Sequence, residues 1–452
     1  MNLQTLALNA LIVLTLVAGC RAPAAQRPAD ATAQPAPTAG RGGTATPVKP
    51  APSVIAPTAV VTSTTGGALT LTWWTPEFLS PQATQPTGAL LAKYLAEFTA
   101  AQEGQVRVNV VPKARYGKGG LLDYLRTALP AAPSLLPDVM ALDVTELEQA
   151  AGLGLLRPLE GLLDAPLLAD LYPFARQSGQ FGDQLLAVAY LADVEHVIYN
   201  RTRVTEPPST WAGLIANKTP YLFPAGSPQS PSATAAAEDV QHSFIVQYLS
   251  AGAAFDPKAR HLIVQEQPLA RVLSFYAEAR QAALLPPNVL ELTSMDDTWA
   301  AYGQGVAPIA IVSARRYLAE QKSLKDTGYA PAPGWSNPTR AVSSGWALAI
   351  TAADPVRQRA AAALIAWLLN SARGGGLALA AGWLPVSPKA LDAWGSDPYY
   401  DFLDGQLATA VSPPIGADYG ATAGRLQRAV VAVLKCTARP ADAVQTALSA
   451  AK

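Results

Sequence analysis

The hydrophobic pattern of this chain switches repeatedly between a period of two and a period near 3.6, and that switching constrains its fold more than any other feature. Ala68-Leu69-Thr70-Leu71-Thr72-Trp73-Trp74 alternates apolar and polar side chains, as a half-buried strand does. Residues 88–103 then place Leu90, Leu91, Tyr94, Leu95 and Phe98 at helical spacing. Strict alternation returns over 105–111 (QVRVNVV). A short helix is expected over 121–129, a buried strand over 137–142 (PDVMAL), and a helix over 145–151 capped by Asp143 or Thr145. Strands separated by helices pair in parallel, with the helices covering the sheet, so the fold class is α/β. Further strands are expected over 302–312 and 341–351, and further helices over 355–369 and 422–434. The longest later apolar run, 360–369, is bounded by Arg359 and Asn370, falls short of spanning length and reads as a core helix.

Composition narrows the function. Thirty-three basic and 33 acidic residues cancel, which leaves no general attraction for nucleic acid or an anionic membrane. The two cysteines and three histidines have no metal-site spacing, and no cofactor is expected. No G-x-S-x-G or H-E-x-x-H motif occurs, which argues against an enzyme.

Two segments precede the folded region. Residues 5–18 (TLALNALIVLTLVA) form an apolar run of export-signal length that ends in Leu16-Val17-Ala18-Gly19-Cys20. This ending resembles the lipobox of bacterial lipoproteins, which implies removal of residues 1–19 and lipid on Cys20. Each buried methylene contributes about 0.8 kcal/mol, so two or more acyl chains make a durable anchor. If Cys20 carries lipid, Cys436 has no cysteine left to pair with. The remainder of 20–67 is rich in Ala, Pro, Thr and Gly and is expected to be a disordered tether spanning roughly 35–40 Å on average.

From Ala68 onward the ordered motifs resemble the family 1 extracellular solute-binding proteins, the carbohydrate-type receptors of ABC importers. The resemblance rests on Leu71-Thr72-Trp73-Trp74, Gly152 to Leu159 (GLGLLRPL), Phe181 to Tyr190 (FGDQLLAVAY), Val197 to Arg201 (VIYNR), Pro208-Ser209-Thr210-Trp211, Tyr302 to Ile309 (YGQGVAPI), Tyr329 to Gly334 (YAPAPG), Ser344 to Ile350 (SGWALAI) and Gly382 to Val386 (GWLPV). Three places depart from the family pattern. Ala189 stands where a proline is usual, Pro308-Ile309 stands near a usual methionine, and residues 225–237 are unusually polar.

The resemblance implies two α/β lobes, over 68–188 with 332–380 and over 193–329 with 381–452. Hinge segments would lie near Ala189–Asp193 and Ala330–Gly334. A small polar ligand, most simply a sugar or oligosaccharide, would bind between the lobes and be passed to an ABC permease by a monomeric, lipid-anchored receptor outside the cytoplasmic membrane. A sensory lipoprotein, or a receptor for glycerol phosphate, polyamine or peptide, is the alternative. Sugars offer apolar C–H faces to aromatic rings and polar edges to charged groups. Candidate contacts are Trp74 and Glu77 after the first strand, Tyr116 in a Lys- and Gly-rich loop, and Asp143 after PDVMAL. Tyr190 and Asp193 at the first crossing, Ser313 and Arg315 after APIAIV, and Trp335, Ser344, Trp346 and Trp383 beside glycines complete the set. One of Trp73 and Trp74 must face the core by alternation.

Overall fold

In the computed structural model, residues 67–449 are described, apart from 85, 132, 229–238, 255–259 and 338. The export segment, Cys20, nearly all of the tether and most of the polar stretch 225–237 lie outside the described residues. Eleven strands are present among the described residues: β1 (Leu69–Pro76), β2 (Val106–Lys113), β3 (Val139–Asp143), β4 (Gln180–Phe181), β5 (Gln184–Leu185), β6 (Ala187–Asp193), β7 (Glu195–Asn200), β8 (Tyr221–Leu222), β9 (Ile309–Ser313), β10 (Thr327–Ala330) and β11 (Ser344–Ile350).

They build two main sheets, in the orders β2-β1-β3-β11-β6 and β10-β7-β9-β8. In the first sheet β1 pairs in parallel with β2 from Leu69 opposite Val106 to Pro76 opposite Lys113, and in parallel with β3. The intervening helices Pro86–Ala101 and Leu121–Ala131 make these crossovers. β11 runs antiparallel to both β3 and β6, so the sheet is mixed. The chain leaves the first sheet at Asp193 and enters the second at Glu195, with Val194 alone between them. It returns between β10 and β11. This is the two-lobe α/β architecture of periplasmic-type binding proteins.

Each sheet has a core. Leu71, Trp73, Phe98, Met140, Leu348 and Ile365 pack in the first, and Trp211, Phe223, Tyr248, Leu273, Tyr276 and Val430 in the second. Helix Pro355–Leu369 starts on Asp354, whose carboxylate accepts from the amides of Val356 and Arg357, and its inner face is buried. Among the described residues no single helix is long and apolar enough to cross a membrane. Arg357 ties this helix to the sheet by donating to both oxygens of Asp138 at 2.6 and 2.7 Å.

Two local expectations differ. Tyr302 closes helix Met295–Gly303 and the strand starts only at Ile309. A reciprocal cap between Ser294 and Asp297 fixes that helix, and Gly305 at φ 76° ends the turn after it. The helix near 145 begins at Leu147 without a side-chain cap, because Asp143 turns back to the amide and hydroxyl of Thr145. Helices Pro388–Asp392 and Pro398–Thr409 add Leu391, Tyr399, Leu403 and Leu407 to the cluster that holds the first core and also Ile198 and Val312 of the second sheet, and Tyr419–Leu434 packs in the second core.

Candidate functional site

Strand register brings side chains from both sheets to one edge. Trp346 lies opposite Asp143, Ser344 opposite Asp193, and Ser313 opposite Glu195. The edge therefore combines the carboxyl ends of β3, β6 and β9, where open α/β sheets hold ligands. A bulge places Tyr190 as the extra residue of β6 opposite the Trp346–Ala347 step. Gly345, at φ 139°, sits where a Cβ would meet the Leu191 carbonyl oxygen at 2.1 Å, so only glycine allows Ser344 and Trp346 to flank this crossing.

The aromatic and basic groups form an alternating stack. The Arg115 guanidinium lies 4.6 Å from the Phe78 ring centre, Phe78 stacks on Trp383 at 5.9 Å and 17°, and Arg315 lies 3.8 Å over the other partner ring, Trp383. Trp346 meets Phe78 edge-on at 5.6 Å and Tyr116 at 6.1 Å. Arg315 is held by donation from Nε to the carbonyl of Gly382, the left-handed residue that ends helix Ser371–Ala381.

Polar groups surround the stack. Asp143 accepts from the Tyr116 hydroxyl at 2.6 Å and from Thr145. Burial and the Asp143 charge hold the Tyr116 phenol well above its ordinary range. Asp193 accepts from the Ser313 hydroxyl at 2.5 Å and from the amides of Val194 and Arg315. Its burial raises the carboxyl pKa, against the opposing pull of Arg315 and these hydrogen bonds. Glu146 is 2% exposed, and burial followed by the Asp143 charge pushes its pKa up to about 8. It is therefore mostly protonated at neutral pH.

Of the residues singled out from sequence, Tyr116, Asp143, Asp193, Ser313, Arg315, Ser344, Trp346 and Trp383 meet at this edge. Tyr190 is buried beside them with its hydroxyl near Thr75. Glu77 is exposed in the turn after β1. Trp73 and Trp74 are both buried, and the ring neighbours of Trp74 are Tyr124 and the Lys113 ammonium. Trp335 is 45% exposed and packs on Trp211 and Arg271 in the second lobe. Sequence reasoning missed Phe78, Arg115, Glu146, Glu195 and His242. Only Glu195, two residues after Asp193, carried a signal, through strand alternation. Among the described residues no group of three or more His, Cys, Asp or Glu could hold a metal ion.

A model of the bacterial extracellular solute-binding proteins matches residues 93–401. Among solved structures, the chain is similar to the cyclic alpha-maltosyl-1,6-maltose binding protein from Arthrobacter globiformis, with a TM-score of 0.67 at 19% identity, covering 85% of this chain and 98% of that one. It is also similar to maltose-bound MalE3 of T. maritima (TM-score 0.61, 20% identity, 85% and 99% covered). The ligand-free maltodextrin binding protein MalE1 from L. casei BL23 gives a TM-score of 0.66 at 15% identity, with 85% and 98% covered.

Proposed function

The chain belongs to the bacterial extracellular solute-binding proteins, and from that premise we propose that it captures an oligosaccharide between its two lobes and delivers it to an ABC importer. The observation that carries the sugar reading is the Phe78–Trp383 stack with Trp346 and Tyr116 beside it, flanked by Asp143, Asp193, Arg115 and Arg315. Aromatic faces accept the C–H faces of a sugar ring, and the carboxylates and guanidinium groups match its hydroxyl edge. The proteins of similar fold whose ligands are maltose and its relatives support a glucose oligosaccharide as the first class to test.

In the proposed cycle the segments around Ala189–Asp193 and Ala330–Gly334 act as hinges. A sugar that touches Phe78, Tyr116 and Asp143 from one lobe and Ser313 and Arg315 from the other binds the closed state more tightly than the open one, and so shifts the population toward closure. The closed form is what a permease would recognise. No bond is made or broken. Lipid on Cys20 would keep the receptor at the outer face of the membrane, and the tether would let it reach its partner.

Isothermal titration of the purified protein with maltose, maltotetraose and a cyclic maltosyl-maltose tests the ligand class. Saturable binding to at least one is expected. Heat from a peptide or polyamine, with none from any sugar, would overturn the sugar assignment.

A further inference from the structure

Among the buried polar atoms without a partner at this edge, two belong to one hydrogen-bonded pair. Glu195 opens β7 opposite Ser313 and is 7% exposed. Its Oε1 accepts from His242 Nδ1 at 2.5 Å, while Oε2 has no hydrogen-bond partner. His242 is the first residue of helix His242–Ser250, and its Nε2 is likewise buried and unpartnered. Native proteins rarely leave such atoms unsatisfied, because each forfeits its hydration on burial. Two of them on one hydrogen-bonded pair, next to Asp193 and Ser313, mark a place where something else supplies the partners.

We infer that Glu195 and His242 form a two-point subsite for a vicinal diol of the bound sugar, with one hydroxyl donating to Glu195 Oε2 and its neighbour bonding to His242 Nε2. The inference deepens the sugar reading above and rests on it. The hydrogen-bonding chemistry of the pair favours hydroxyl groups. Burial alone would lower the His242 pKa, but the Glu195 charge and hydrogen bond outweigh it and raise the pKa, with Asp239 and Asp193 adding to the effect. The other groups around the pair are the Tyr221 ring near Glu195 and the Tyr419 hydroxyl, which donates to Asp239 at 2.6 Å. The pair presents an acceptor at Glu195 Oε2 and a second hydrogen-bonding atom at His242 Nε2, and adjacent hydroxyls, each able to donate and to accept, match both.

Calorimetry of the full chain with maltotetraose tests this, using wild type, Glu195→Gln, His242→Gln and the double variant. Each single variant is expected to lose at least tenfold in affinity. The double variant is expected to lose much less than the product of the two, because each change breaks the same two-point contact. Nitrogen resonances of the His242 ring in the wild type are expected to shift on binding, a readout that does not depend on how well the variants fold. Wild-type binding with the variants within twofold, or with the His242 resonances unmoved, overturns this subsite and leaves the sugar reading standing. No binding of maltotetraose by the wild type overturns both.

Discussion

Replacing His196 by glutamine should flatten the acid limb of the stability curve. His196 is fully buried in β7. Its Nδ1 faces the Val197 carbonyl at 3.0 Å and its Nε2 faces the Tyr399 hydroxyl at 2.8 Å. The rings of Tyr317, Tyr399 and Phe402 enclose it at 5.3 to 5.7 Å. Nδ1–H donating to the carbonyl and Nε2 accepting from the tyrosine satisfies a neutral imidazole. Burial lowers the folded-state pKa to about 4, against 6.5 for an ordinary histidine. The unfolded chain therefore binds a proton that the folded chain refuses. Stability is intact above pH 6.5 and is lost as the pH falls from there toward 4. Between pH 7.5 and 4.5 this one group costs roughly 2–3 kcal/mol. Glutamine cannot titrate and retains an acceptor for Tyr399. Urea unfolding at both pH values, on wild type and His196→Gln, isolates the effect as a difference of differences. The variant should lose roughly 2–3 kcal/mol less than wild type over this interval. Equal losses would mean that His196 is already charged in the folded protein, or not enclosed as described.

Three further outcomes are expected. Trp383→Ala should weaken oligosaccharide binding tenfold or more, because a lost desolvated ring contact costs roughly 1–3 kcal/mol, and unchanged affinity in a titration would remove Trp383 from the site. Arg357→Met should destabilise the protein by about 3 kcal/mol in urea, since it strands the buried Asp138 carboxylate, and adding Asp138→Asn should recover part of the loss; no recovery would deny the coupling. Cys20→Ser should release the protein from membranes into the soluble fraction. A variant that still sediments with membranes would refute the anchor at Cys20.

Residues that follow a strand end were the most legible part of the site. Asp143 and Ser313 each close a strand whose apolar run is plain in the sequence, and such ends converge when strands share an edge, whereas Asp193 was reached through the crossing segment that the family resemblance implies. Helix Pro355–Leu369 was equally plain, with Asp354 before Pro355 and an apolar run behind it. The misses have a common physical cause. Phe78 lies in a single turn beyond β1, where no periodicity acts, and it reaches the cleft through its stack on Trp383, far away in the sequence. Glu195 and His242 meet only because the second sheet and a later helix fold over each other. Trp335 also follows glycine, yet backbone bonds between Gly334 and both Ser209 and Trp211 draw its loop into the second lobe. The strand expected from Tyr302 gave way to a helix because the Ser294–Asp297 cap, eight residues upstream, set the local conformation first.

The most direct test of the central claim is a crystal structure of the protein with maltotetraose. A glucose ring is predicted on the face of Trp383 or Phe78, with its hydroxyls on Asp143, Asp193 or Arg315 and both lobes in contact with it. Sugar bound away from this edge, with the Arg115–Phe78–Trp383–Arg315 stack undisturbed, would contradict the account.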